Sequence, residues 1–277
     1  MVADDIEAGM KLSNAEGWNQ TEKDWELLLA NYENICLVAE YDNKVIGTTT
    51  AINYSNSIAW IGMVLVDKEF RGQGISKSLL TNIFAKLVHC KSVKLDATPE
   101  GKQVYEKLDF KDEYVIVRMT NTLMKNIAYS DVHQVPEPVQ LKHIPEIIEL
   151  DEVIFGANRR QLITALIHEY PRKAWILRRN NHVTGFVLGR DGNKYHQVGP
   201  VIASNFSDAK ILLIKALNDL TNLPVVIDIL SDKYDLIGWL DSIEFTKQRH
   251  FIRMYQKENP FPGITTNQYL ICGPEFG

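Results

Sequence analysis

Residues Val64 to Leu80 constrain the fold more than any other stretch of the chain. They begin as an apolar run, Val64-Leu65-Val66, and pass through Asp67-Lys68-Glu69-Phe70-Arg71-Gly72-Gln73-Gly74. They continue into a segment carrying Leu79, Leu80, Ile83, Phe84 and Leu87 at helical spacing. A strand that turns through two glycines into a helix leaves the first-turn N–H groups unpaired at the positive end of the helix dipole. Gly72 and Gly74 can adopt backbone conformations closed to other residues and let a ligand approach closely. Arg71 opens the turn and Ser76 adds a hydroxyl, so a phosphate or pyrophosphate fits. The same geometry also serves as a plain strand-to-helix connection. No Gly-Lys-Ser/Thr ends the turn and the dinucleotide fingerprint is not completed, so neither common nucleotide motif applies.

The wider pattern resembles the GCN5-related N-acetyltransferases, whose signature is Arg/Gln-x-x-Gly-x-Gly/Ala after a strand. Arg71, Gly74 and Ser76 occupy its three marked positions, with Ser76 a mild departure. The resemblance continues through Asp96-Ala97-Thr98-Pro99-Glu100-Gly101 and Val104-Tyr105-Glu106-Lys107-Leu108-Asp109-Phe110, where Asp109 stands in place of the usual glycine. It implies an α/β (α+β) fold with a mixed, mostly antiparallel sheet flanked by helices. It also implies that the turn holds the pyrophosphate of acetyl-CoA, with Val64, Leu65, Val66, Arg71, Gly72, Gln73, Gly74, Ile75 and Ser76 as cofactor-binding residues.

At 277 residues the chain is long for one small domain and comfortable for two. A net charge of −5 without a long basic block argues against nucleic acid or an anionic membrane as partner. Cys36, Cys90 and Cys272 are odd in number and far apart, which suggests neither a disulfide framework nor a metal site. None of the seven histidines forms a ligand cluster, so no metal is expected. The acidic N-terminus lacks a signal-peptide core and no apolar run reaches membrane-spanning length, and a cytoplasmic location is expected.

The first half reads as a helix over 3–16 and a helix after Thr21 and Asp24, which have capping-box spacing. A hairpin over 35–51, a strand to Val66, a helix over 75–89, a strand over 93–97, a helix from Pro99 and a strand over 115–119 follow. The opening strand of the resembled fold is not evident. Periodicity is lost over 120–138, and beyond it the same order of helices, hairpin, strand, helix, strand, helix and strand returns. Two tandem acyl-CoA N-acyltransferase folds are expected: a catalytic domain at 1–125, a linker at 126–137 and a degenerate copy at 138–277. In the second copy Val201 to Asp208 replaces the glycine turn. It offers Ser207 as a helix cap but no glycine for a pyrophosphate. Phe155-Gly156-Ala157-Asn158-Arg159, Gly199-Pro200, Arg253-Met254-Tyr255 and the ending Gly273 to Gly277 resemble the C-terminal domain of bacterial tandem acetyltransferases.

Acyl transfer from a thioester to an amine needs a neutral amine, oxyanion stabilisation and a proton for the departing thiolate. The resemblance gives the oxyanion donor as a backbone N–H among Val64, Leu65 and Val66, and the thiolate's proton donor as Tyr105. Without it, Tyr105 reads as a packing residue. Asp67 and Glu69 read as solvated surface. Asp96 is either a base acting through water or a loop anchor. Trp18 and Asn19 read as a staple around the cap or as part of the acceptor pocket. Arg190, Tyr195, His196, Gln197 and Asp228 are candidates from the second copy for a wall of that pocket.

The expected function is transfer of an acetyl group from acetyl-CoA to a primary amine of a small molecule, by direct attack in a ternary complex. A non-catalytic acyl-CoA-binding module and a protein-lysine acetyltransferase are the alternatives. The small-molecule amine is the expected partner, and the sequence leaves a homodimer open.

Overall fold

A computed structural model describes residues 1–31, 33–128 and 134–277. The first half runs α1 (Ile6–Ala15), α2 (Glu22–Leu29), β1 (Ile35–Tyr41), β2 (Lys44–Tyr54), β3 (Ile58–Val66), α3 (Ile75–Lys86), β4 (Ser92–Ala97), α4 (Pro99–Glu106) and β5 (Lys111–Asn121). The second runs β6 (Glu137–Pro138), α5 (Ile144–Phe155), α6 (Arg160–Glu169), β7 (Trp175–Arg179), β8 (His182–Arg190), β9 (His196–Ile202), α7 (Phe206–Asn218), β10 (Val225–Leu230), α8 (Tyr234–Ser242), β11 (Thr246–Lys257) and β12 (Gln268–Leu270).

The local signals account for these elements. Asp24 Oδ2 accepts from the Thr21 N–H at 2.7 Å, closing the capping box of α2. Thr98 Oγ1 accepts from the Gly101 N–H at 3.1 Å, and Pro99 sits in the first turn of α4, where its missing N–H costs nothing. At α7 the cap is Asn205, whose side chain accepts from the Asp208 N–H at 3.0 Å, and not Ser207. No strand precedes α1 among the described residues, whereas the second half opens with the two-residue β6. The expected linker at 126–137 includes residues 129–133, which lie outside the described residues.

The twelve strands among the described residues join one mixed, mostly antiparallel sheet in the order β1-β2-β3-β4-β11-β5-β10-β12-β9-β8-β7-β6. The centre of this order is not what two separate halves would give. Strand β11, from the second half, lies between β4 and β5 and pairs antiparallel with both. Strand β5, from the first half, pairs in turn with β10 of the second. Each half therefore completes its sheet with the other's late strand. The hydrophobic core follows the same logic, because Trp25 and Trp60 of the first half share one buried cluster with Phe155, Phe186 and Phe276 of the second.

Each half also contains one parallel strand pair that splays apart. Strands β3 and β4 pair only over Ile58–Trp60 and Ser92–Lys94. Strands β9 and β10 pair over His196–Val198 and Val225–Ile227. In the second half β12 fills the gap, pairing with both β9 and β10. In the first half the gap stays open, and the candidate functional site lies there.

Candidate acyl-transfer cleft

The open gap between β3 and β4 forms a continuous cleft with two parts. The outer part, about 510 Å³, is lined by Arg71, Gly72, Gly74, Ile75 and Ser76 of the turn and by Tyr105 of α4. The inner part, about 140 Å³, lies deeper between Gly62 to Val64 and Leu95 to Thr98. Trp18, Val64, Thr98, Gly101, Tyr105 and Arg249 line both.

The glycine turn has the conformation that the sequence requires. Gly72 and Gly74 have φ of 77° and 79°, in the left-handed region, and an added methyl group at either would meet nothing within 4 Å. Glycine is needed there for backbone conformation and for access, not for packing. The first helical bond of α3 runs from the Ser78 N–H to the Gly74 carbonyl at 2.9 Å, so the N–H groups of Ile75, Ser76 and Lys77 precede the ladder. Together with Arg71 these donors suit a pyrophosphate. Arg71 Nε donates to the Val66 carbonyl at 3.2 Å, and its guanidinium pairs with Glu16. Gln73 is exposed and does not line the cleft. Asp67 caps the turn that follows β3, accepting from the Glu69 N–H at 3.0 Å.

The cleft edge of β3 carries a bulge that the apolar run conceals. Thr48 of β2 pairs with Leu65 and Thr50 with Gly62, so Met63 and Val64 together face one residue of β2. Met63 has φ of 50°, and its carbonyl accepts from the Thr48 hydroxyl at 2.8 Å. The Met63 carbonyl is thus taken by Thr48, and Val64 after it lines both parts of the cleft. Beyond Trp60 this edge has no β4 partner.

Tyr105 stands across the cleft on α4. Its ring packs against Phe110, with centroids 5.8 Å apart at 62°, and passes so close to Gly101 that a methyl there would sit 3.3 Å from Cε2. No hydrogen bond to its hydroxyl occurs among the described residues, and burial pushes its pKa above the usual phenol range. Asp96, the other candidate on this side, is already taken: its two oxygens accept from Nε and Nη2 of Arg253 at 2.8 and 2.9 Å. Asp96 lies within β4, directly opposite Arg253 in the β4–β11 register, so its carboxylate is held in an interstrand pair and anchors no loop.

The second half contributes to the cleft through residues that sequence reasoning missed. Arg249 and Phe251 of β11 and Pro274 and Glu275 of the C-terminal segment line the inner part. Gly62 lets that segment pass, since a methyl there would meet the Glu275 Cα and carbonyl at 3.2 Å. The residues proposed from sequence lie behind this wall. Arg190 pairs with both Asp24 and Glu275, Asp228 takes Arg118 in a two-pronged pair at 2.7 Å with Gln197 added at 3.1 Å, and His196 contacts Asp191 at 3.0 Å. Asn19 pins the loop before β9 through the N–H groups of Lys194 and Tyr195, both at 2.9 Å. Its neighbour Trp18 is the one that lines the cleft. No cluster of three or more potential metal ligands occurs among the described residues, and none of their helices is long and apolar enough to cross a membrane.

A doubled, splayed sheet with an open cleft ending on a glycine turn is the architecture of the GNAT fold. Residues 32–112 and 147–270 each match a family model described as an acetyltransferase (GNAT) domain. The chain belongs to the GCN5-related N-acetyltransferase family and is a tandem member of it. It is similar to the holothin acyltransferase of Pseudoalteromonas sp. (strain SANK 73390), with 26% identity over 253 residues, covering 88% of this chain and 84% of that one. It is also similar to the uncharacterized N-acetyltransferase YitH of Bacillus subtilis (strain 168), with 25% identity over 202 residues, covering 72% and 71%. A crystal structure from Pyrococcus horikoshii superimposes with a TM-score of 0.83 at 23% identity, covering 100% of this chain and 94% of that one. A tandem GNAT protein from the clavulanic acid biosynthesis pathway gives a TM-score of 0.62 at 12% identity, covering 93% and 97%.

Proposed function

We propose that the chain transfers an acetyl group from acetyl-CoA to the primary amine of a small molecule, by direct attack in a ternary complex within the β3–β4 cleft. The observation that carries this reading is the continuity of the cleft, from the anion-binding turn at Gly72–Ser76 past Val64 to Tyr105. Acetyl-CoA supplies the acyl group as a thioester. Arg71 and the first-turn N–H groups of α3 would hold its pyrophosphate, as their donor chemistry fits. Arg71 then exchanges its Glu16 partner for the phosphate. The Val64 N–H donates to the carbonyl oxygen as charge develops there. Tyr105, kept protonated by burial and without a hydrogen-bond partner among the described residues, donates its proton to the sulfur as the C–S bond breaks, and the resulting tyrosinate takes up the proton that the amine nitrogen loses.

In the second half β12 occupies the position of the cleft, which supports a single cofactor site in the first half. Incubation with acetyl-CoA and a panel of primary amines, monitored for free thiol, tests the reading. Thiol release that depends on the amine is the expected result. Binding of acetyl-CoA without thiol release would make the protein a binding module, and acetylation confined to protein lysines would replace the small-molecule acceptor.

A further inference from the structure

One cation of the cleft, Arg249, has no hydrogen-bonded acidic partner among the described residues. Arg249 of β11 lies directly opposite Arg118 of β5 in the antiparallel register. Like charges in that position repel, and a carboxylate normally relieves them. Asp228 makes its hydrogen-bonded pair with Arg118, both oxygens engaged, and acts on Arg249 only through space, as does Glu100 in the outer part of the cleft. The fully buried arginines are matched in the same way: Arg159 with Asp151, Arg190 with Asp24 and Glu275, Arg253 with Asp96. Half-buried Arg249 has no salt bridge or hydrogen bond through its side chain among the described residues, yet it lines both parts of the cleft. Burial and, next, the adjacent Arg118 hold its pKa below the usual guanidinium range, so an approaching anion would relieve its environment.

The opposite polarity also lines the inner part. Gln20 and Glu275 both border it and are nearly fully buried, and Gln20 Oε1 and Glu275 Oε2 have no hydrogen-bond donor among the described residues. Acceptors left without partners call for N–H groups. The cleft thus pairs a spare guanidinium with spare acceptors, whereas a thioester and the amide-linked arm behind it carry no charge. The anionic end of the cofactor has its own donors at Arg71 and the start of α3.

We propose that Arg249 recognises a carboxylate on the acceptor, so that the substrate class is an amine that also bears an acid, of amino-acid type. This rests on the acyl-transfer reading above and narrows it. A planar guanidinium binds a carboxylate through two parallel N–H bonds, which fixes orientation as well as charge. A lysine within a polypeptide lacks this feature, because its α-carboxylate is consumed in the peptide bond.

The test compares α-, β- and γ-amino acids with their own carboxamides, which match them in size and amine. Free-thiol release with acetyl-CoA and calorimetric binding of each compound are both measured. The acids are expected to exceed the amides at least tenfold in kcat/KM. Arg249→Gln should bring that ratio to about one, chiefly through KM, and Arg249→Lys should retain part of it, with the Kd of acetyl-CoA within about twofold in both. Equal use of acids and amides by the native protein, an unchanged ratio in Arg249→Gln, or a tenfold loss of acetyl-CoA affinity in that variant would overturn the assignment. If no amine releases thiol, the acyl-transfer reading fails instead. The acid-to-amide ratio in calorimetric binding then decides the role of Arg249, and an absence of binding by every acid counts against it.

Discussion

The indole Nε1 of Trp60 donates to the carbonyl of Pro274 at 2.9 Å, joining residues 214 apart in the chain. Two strand positions earlier on β2's side of the sheet, the Tyr54 hydroxyl donates to the Phe276 carbonyl at 2.8 Å. These bonds lay the segment 273–277 across β3, where Glu275 becomes part of the cleft wall. The contact serves stability and site construction together. Trp60 is fully buried, its indole stacks near Phe155 and Arg253, and its one polar atom is satisfied by the segment.

Phe276 anchors that segment in the shared core, fully buried and beneath the Arg190 guanidinium. Phe276→Ala should cost about 3–5 kcal/mol, the usual penalty for emptying a buried aromatic site. Urea unfolding of the native and variant proteins measures it. An unchanged midpoint would mean that the segment does not pack as described.

Tyr105→Phe keeps the ring against Phe110 and Gly101 and removes only the hydroxyl. Turnover should fall about 100- to 10,000-fold, the range for losing a general acid, with the Kd of acetyl-CoA little changed. The sign of the pH effect follows from the direction of the pKa shift. A hydroxyl raised above the free phenol value of about 10 stays protonated across the neutral range, so kcat should show no Tyr105-dependent decline below about pH 10. Unaltered turnover in the variant would remove the assignment.

Gly74→Ala separates conformation from access. The new methyl group meets no protein atom, so the stability cost is the left-handed backbone term alone, about 1–2 kcal/mol. If a pyrophosphate lies against this turn, acetyl-CoA affinity should drop more than tenfold beyond what the stability change explains. Calorimetric titration alongside thermal unfolding resolves the two effects, and an affinity equal to that of the native protein would move the phosphate elsewhere.

What the sequence made legible was local. The glycine turn, the capping box at Thr21 and the start of α4 at Thr98-Pro99 each depend on residues within a few positions of one another and were written in spacing, whereas the placement of Tyr105 came from the resemblance to the acetyltransferases. The bulge at Met63 was hidden because a methionine with positive φ inside an apolar run carries no glycine or asparagine to mark it. The exchange of β5 and β11 was hidden for a different reason. A strand's periodicity states which face is buried but not which strand lies alongside, and the pairing of Arg249 with Arg118 spans the two halves. Nothing in the sequence pattern therefore singled out Arg249. Strand β12 is three residues long and followed by turns, too short for any alternation to show.

Asp228 tests how the two halves share their electrostatics. It is fully buried on β10, and both of its oxygens hold Arg118 of β5. Removing one partner of a buried pair leaves a charge without compensation, so Asp228→Ala should destabilise the protein by about 3–5 kcal/mol. The loss should be larger here than at an isolated pair because Arg249 faces the stranded Arg118. Denaturant unfolding of Asp228→Ala, Arg249→Gln and the double variant gives the coupling directly, and strict additivity would refute it.

The number of cofactor sites follows from what fills each splay. In the first half β3 and β4 separate after Trp60 and no strand among the described residues enters the gap. In the second half Leu270 of β12 pairs with both Val201 of β9 and Ile229 of β10, and the Ile271 N–H donates to the Asp228 carbonyl at 3.0 Å. A pantetheine arm entering there would have to displace a strand held on both edges, without a glycine turn to receive its pyrophosphate. Titration with acetyl-CoA should therefore saturate at one equivalent per chain, and Gly74→Ala should weaken the whole of that binding rather than half of it. A second equivalent of comparable affinity, persisting in the variant, would show that β12 yields.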